Sequence, residues 1–90
     1  MVVDMEIVRS ERAAMGKIEY KVVKNIEMGV DVYGIKIESN LFDRPEEATV
    51  SSVTVSPEKI NRLFDLCIEH TVLPSTLQDI VEDFIISDET

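Results

Sequence analysis

The sequence predicts an α+β domain in which a four-stranded antiparallel meander precedes two helices packed on one of its faces, in the order ββββαα. Three observations predict it. Two apolar stripes share one template, Ile60, Leu63, Phe64, Cys67 and Ile68, then Leu77, Ile80, Val81, Phe84 and Ile85. Both follow i, i+3, i+4, i+7, i+8, one face of a 3.6-residue period that must be buried against another layer. Upstream of them, apolar and polar residues alternate with a period of two, the pattern of half-buried strands. The connections between those strands are short, which favours a meander over crossover units.

The first strand is expected over residues 2–9, where Val3, Met5 and Ile7 alternate with Asp4 and Glu6. Ser10 to Gly16 reads as a polar connection. The second strand, residues 17–26, carries Ile18, Tyr20 and Val22 on one parity, and Gly29 supplies the reversal that follows it. The third, residues 31–39, carries Tyr33, Ile35 and Ile37. Gly34 within it marks a bend or a close approach by another group. After a polar loop comes the fourth strand, residues 48–55, whose alternation slips between Val50 and the pair Val53 and Val55. A bulge near Ser51-Ser52 would bring these back to one face.

Ser56-Pro57-Glu58 opens a helix over residues 57–71, with serine as N-cap, proline at the first helical position and a carboxylate in the first turn. Ser75-Thr76-Leu77-Gln78 has the form of a capping box and opens a second helix over residues 75–86. The expected core is Val3, Met5, Ile7, Ile18, Tyr20, Val22, Tyr33, Ile35, Ile37, Val53, Val55 and the two helix stripes.

Ninety residues with 44% apolar content suffice for one domain with one modest core. A single cysteine excludes a disulfide framework, and the start lacks the basic and apolar regions of a signal peptide, so a cytoplasmic protein is expected. No apolar run approaches the roughly 20 residues that span a bilayer. The net charge is −9, and residues 25–90 hold fourteen acidic side chains against four basic ones. Such a surface is repelled by phosphate backbones and anionic lipids, so neither nucleic acid nor membrane is an expected partner.

Cys67 and His70 have a spacing that can bring two metal ligands together, but a zinc site needs three or four, and no second Cys or His exists. A buried thiol beside a helix-terminal histidine is the simpler reading. Asp79, Glu82 and Asp83 cluster opposite the apolar stripe of the second helix. There they form a solvated face or a recognition face for a partner. A small metal-assisted or acid/base enzyme using these carboxylates is the alternative reading. Nothing else supports catalysis, because no nucleophile context, P-loop or dinucleotide fingerprint is present. No catalytic residue, cofactor or metal is therefore expected.

Leu66 lies on the flank of its helix stripe, about 110° from the centre by the 3.6-residue period, and Leu41-Phe42 is an apolar pair in a polar loop. These residues either close the core, with Leu66 touching the second helix, or form an exposed contact patch. Leu41, Phe42, Leu66, Asp79, Glu82 and Asp83 are accordingly the candidate interaction surface.

The segments Tyr33-Gly34-Ile35-Lys36-Ile37-Glu38 and Glu69-His70-Thr71-Val72-Leu73-Pro74, continuing through Leu77-Gln78-Asp79-Ile80-Val81-Glu82-Asp83-Phe84, carry a likeness. Over about residues 17–86 the chain resembles a small family of domains of unknown function from clostridial and related Firmicute bacteria. The resemblance implies a bacterial cytosolic origin and transfers no catalytic role to any residue. The function expected from the residues is that of a small acidic non-enzymatic interaction or regulatory module acting through an unidentified protein partner. A homodimer is a further expectation if the strand at residues 48–55 is a sheet edge, because Ala48 to Ser56 carries no charge.

Overall fold

In the computed structural model, which describes residues 5–88, the meander and the helix pair are both present. Strands β1 (Glu6–Ala13), β2 (Ile18–Glu27), β3 (Val30–Ser39) and β4 (Glu46–Thr54) form one antiparallel sheet in the order β1-β2-β3-β4. Helices α1 (Pro57–Glu69) and α2 (Leu77–Asp88) follow and pack on one face, joined through a single 3-10 turn at Pro74–Thr76. Ile18, Tyr20 and Val22 of β2 and Ile35 and Ile37 of β3 form the floor of the core. Ile60, Leu63, Phe64, Cys67, Leu77 and Val81 are pressed onto it from the helices.

The anticipated bulge and the role of Gly34 prove to be one feature. Ile35 pairs with Val50 and Tyr33 with Thr54, so Ser51, Ser52 and Val53 together face Gly34 alone. A β-carbon at residue 34 would lie 2.7 Å from the Ser51 Cα and carbonyl carbon, and closer still to the Val50 carbonyl oxygen. Only glycine fits under the bulge. The extra residues return Val50 and Val53 to the core side despite their opposite parity.

Both sheet edges differ from the expected pattern. β1 lies later than residues 2–9, with the segment from Ser10 paired to β2 through Ala13. Val3 falls outside the described residues, and Met5 and Ile7 are 42% and 54% exposed. Their alternation misleads because β1 buries no side chain fully. It is held instead by its ladder to β2, and by Arg9, which reaches α1. The Arg9 guanidinium stacks 4.5 Å from the Phe64 ring centroid and donates to Asn61 Oδ1 at 3.0 Å and Asp65 Oδ1 at 3.2 Å. β4 begins at Glu46 and stops at Thr54, where the Thr54 hydroxyl accepts from the Ser56 amide and the chain turns into α1. Val55 is left exposed, while Tyr33 and Val53 are only half-buried.

The outer face of the sheet carries charge. Glu19, Glu38 and Glu47 stand in one row across β2, β3 and β4, and Lys21 stands opposite Lys36 in the next. Like charges directly opposite repel, and the repulsion is relieved by ion pairs along diagonals, along β2 and from Arg12 on β1. Lys21 pairs with Glu38 and with Glu19 at 3.7 Å, Lys36 with Glu47 at 3.9 Å, and Arg12 with Glu19 at 3.6 Å. The hydrogen bond between them raises the Lys21 pKa and lowers that of Glu38.

Among the described residues four connections hold L-residues in the left-handed region, Met28 and Asp43 lying in the β2–β3 and β3–β4 connections. The β1–β2 connection places Ala14, Met15 and Gly16 in succession at φ 53°, 59° and 83°. For each non-glycine residue that geometry costs about 1–2 kcal/mol. α1 ends in a Schellman motif, with Thr71 N–H donating to the Ile68 carbonyl at 3.2 Å and Val72 N–H to the Cys67 carbonyl at 2.9 Å. Thr71 occupies the position usually taken by glycine, at φ 49°. At the start of α1 the Ser56 hydroxyl accepts from the Lys59 amide at 3.2 Å, as the sequence implies. The capping box expected at Ser75 is replaced by the 3-10 turn, where the Thr76 hydroxyl donates to the Leu73 carbonyl at 3.2 Å. Pro74, buried at the first position of that turn, sets this geometry.

Two substitutions test these readings in urea unfolding. Gly34→Ala should destabilise the protein by about 3 kcal/mol or more, because the obstructing atoms are backbone; a change below about 1 kcal/mol would contradict the close approach. Thr71→Gly should stabilise it by about 1 kcal/mol, the left-handed strain outweighing the added freedom of the unfolded chain.

Candidate functional site

The connection between the helices is short, and both pack on the sheet, α1 on β2, β3 and β4 and α2 on β4 and the 3-10 turn. The flanks of the stripes then meet above the core. Leu66 on α1 and Ile80 and Phe84 on α2 line a groove of about 240 Å³ with Val72 from the connection. His70, Asp83 and Ser87 complete its lining. A second depression of about 280 Å³ shares Leu66 and Phe84 and adds Arg62, Asp65 and Glu69. The two form one apolar trough bordered by carboxylates from both helices. The Arg62 guanidinium lies 5.9 Å from the Phe84 ring centroid, within cation–π range.

The trough is anchored from below. Tyr20, fully buried on β2, donates from its hydroxyl to the Val72 carbonyl at 3.0 Å. This bond satisfies a polar group that the core would otherwise strand, and it ties the helix connection to the sheet. Burial raises the Tyr20 pKa, with Cys67 contributing.

The six candidate surface residues divide. Leu66, 38% exposed, and Asp83 share the trough. Asp79 and Glu82 are exposed on α2, where Glu82 accepts from the Gln78 side-chain Nε2 at 3.1 Å. Leu41 folds onto the core from the β3–β4 loop, with its amide donating to the Ser39 hydroxyl at 3.3 Å. Phe42 beside it is 62% exposed. Neither residue of this pair lines the trough. Sequence reasoning missed the remaining walls. Ile80 and Phe84 read as core because they belong to the stripe, yet both stay half-buried and face the groove. Helical period alone cannot mark where one stripe stops being covered.

Elsewhere, a wider depression of about 610 Å³ lies at the sheet end, lined among others by Arg12, Lys17, Glu19, Glu38, Glu46 and Glu47. Among the described residues no group of three or more His, Cys, Asp or Glu side chains is placed to hold a metal ion, the set Asp79, Glu82 and Asp83 included. Cys67 is completely buried, and desolvation pushes its thiol up to about 11. Among the described residues no helix is long and apolar enough to cross a membrane.

A model of a family of unknown function, DUF6514, matches residues 1–87. The chain belongs to that family. No curated protein matches it, and no solved structure does. The DUF6514 assignment accounts for the span of the fold and names no reaction, so the trough itself must carry the functional argument.

The Cys67 environment predicts a pH dependence. A thiol raised in the folded state contributes stability that is fully present below its unfolded value of about 8.5 and lost as pH rises through about 11. Unfolding free energy should fall by about 2–3 kcal/mol between pH 8 and pH 11, with Tyr20 acting in the same direction. Urea titrations across that range check it, and a clearly shallower profile in a Cys67→Ala variant, with only the Tyr20 contribution left, would assign most of the loss to the thiol.

Proposed function

We propose that this DUF6514 member is a small acidic module of the bacterial cytoplasm that binds a protein partner and catalyses no reaction. One observation carries the reading: Leu66 and Asp83, singled out on separate helices, meet in an apolar trough bordered by Asp65 and Glu69. Apolar surface outside the core favours contact with another molecule, and the flanking carboxylates select its charge. The partner this chemistry recognises is a helix or extended segment with apolar anchors flanked by lysine or arginine. The net charge of −9 supports attraction of such a segment over a distance set by salt. The exposed α2 residues Asp79 and Glu82 add to the same field. Resemblance to Firmicute domains supports the bacterial setting, and the single buried thiol fits a reducing compartment.

The test compares variants that keep the core intact. Immobilised protein is exposed to native cell lysate at low and high salt, and retained proteins are identified by mass. A basic partner held by the unaltered chain should be lost with Leu66→Glu and weakened about tenfold or more with Asp83→Lys at low salt. Circular dichroism should show both variants folded. Retention of the same proteins by all three forms would reject the trough as the binding site.

A further inference from the structure

β1 is bound to the rest of the molecule in an unusual way. None of its side chains is fully buried, and only Arg9 and Ala13 are half-buried. What holds it is the ladder to β2 from Glu6↔Lys24 to Ala13↔Ile18, the pairs Arg12–Glu19 at 3.6 Å and Lys24–Glu6 at 3.9 Å, the packing of Ala13 on the core, the reach of Arg9 to α1, and a hydrogen bond from Arg12 to the Gly16 carbonyl at 3.2 Å. Every one of these contacts is defined by sequence partners. All but the Arg12–Gly16 bond, which spans the hinge itself, would re-form unchanged if β1 came from another copy.

The hinge favours that exchange. Ala14, Met15 and Gly16 make a left-handed turn, closed by Gly16 N–H to the Ala13 carbonyl at 3.1 Å and Lys17 N–H to the Ala14 carbonyl at 3.2 Å. Alanine and methionine have no side-chain group that compensates for a left-handed backbone, and consecutive L-residues there are disfavoured. Met15 also holds its apolar side chain 99% exposed, so the turn gains nothing from packing it. Extending residues 14–17 removes the strain and carries β1 away from its own β2. A short strained hinge beside a strand with replaceable contacts is the physical setting for segment exchange.

We propose that the outer edge of β2 accepts β1 from a second copy of this chain, giving a two-fold dimer in which the strands are exchanged through an opened Ala14–Lys17 hinge. The dimer keeps both cores and both helix troughs, since neither α1 nor α2 changes place. Its interface is the native β1–β2 ladder, used between molecules. β4 offers a competing geometry, as a free edge with no charge from Ala48 to Thr54, but the bulge at Ser51–Val53 interrupts the regular ladder that edge-to-edge pairing needs.

The test places a disulfide across the exchanged ladder. Arg12 and Glu19 stand directly opposite each other, so an Arg12→Cys, Glu19→Cys variant joins β1 to β2 on oxidation. Cys67, fully buried, stays out of the reaction. Refolding at high concentration followed by oxidation should give a covalent dimer on a non-reducing gel, and refolding at high dilution a covalent monomer. Adding Ala14→Gly and Met15→Gly, which relieve the hinge, should lower the dimer fraction at least about tenfold. Exclusively intrachain disulfide at every concentration would overturn the proposal, as would a dimer fraction indifferent to the hinge. Should the cysteine variant fold poorly, the unmodified chain gives a second readout. Its dimer, isolated by gel filtration after concentrated refolding, should persist on dilution because reversal requires β1 to unpair. A dimer that dissociates on mixing would reject exchange in favour of surface pairing through β4.

Discussion

The architecture turns on the passage of β4 over Gly34. A strand shows its side chains alternately to the two faces, and Val50 and Val53 have opposite parity. Without the bulge, one of them would leave the core and β4 would offer only half a floor. With it, β4 presents an apolar strip to α2 and to the 3-10 turn before it, both of which pack there. The second wall of the trough therefore depends on a position in the middle of β3, where a side chain as small as a methyl cannot be placed. Fold and candidate site share this constraint, although Gly34 touches no residue of the trough lining.

Above that floor, the helix connection is fixed from two directions. The Schellman motif at the end of α1 reverses the chain and turns Val72 inward, where its carbonyl receives the Tyr20 hydroxyl. Val72 thus belongs to three things at once: the helix cap, the core and the trough lining. A buried hydrogen bond of this kind is worth more in specificity than in net energy, because most alternative placements of the connection would leave an unsatisfied group behind. The separation of α1 from α2, and with it the width of the trough, is set at this point.

The elements legible in the sequence were those whose burial had a period. Both helix stripes, the β2 and β3 alternation, the Ser56 cap and the bulge could be read because core contact imposed them. β1 could not, since its contacts are backbone bonds and one arginine, neither of which writes an apolar rhythm; Met5 and Ile7 alternate yet remain exposed. The capping box at Ser75 failed because the buried Pro74 imposed a 3-10 turn before the α-helix could start. For the site, Leu66 and Asp83 were recognisable as residues outside a simple stripe. Ile80 and Phe84 were hidden inside one, and Leu41 proved to belong to the core. That His70 and Asp83 line one groove is a tertiary fact with no local signal.

The outer sheet face has a property that no single ion pair conveys. Across β2, β3 and β4 three glutamates stand in one row and two lysines in the next, while Arg12 on β1, opposite Glu19, brings the opposite sign into the acidic row. Lys21 sits at the node, bridging Glu19 and Glu38. Deleting it would leave the Glu19, Glu38 and Glu47 row with Arg12 and Lys36 as its remaining cationic neighbours, in a chain that already carries an excess of negative charge. The lattice repels along the Glu19, Glu38 and Glu47 row and between Lys21 and Lys36, and it is satisfied through neighbouring charges, so the energies of its members cannot be added one by one. Drift at any one of these positions constrains what its neighbours can become, so this open and solvent-washed surface is bound by a collective rule usually associated with cores.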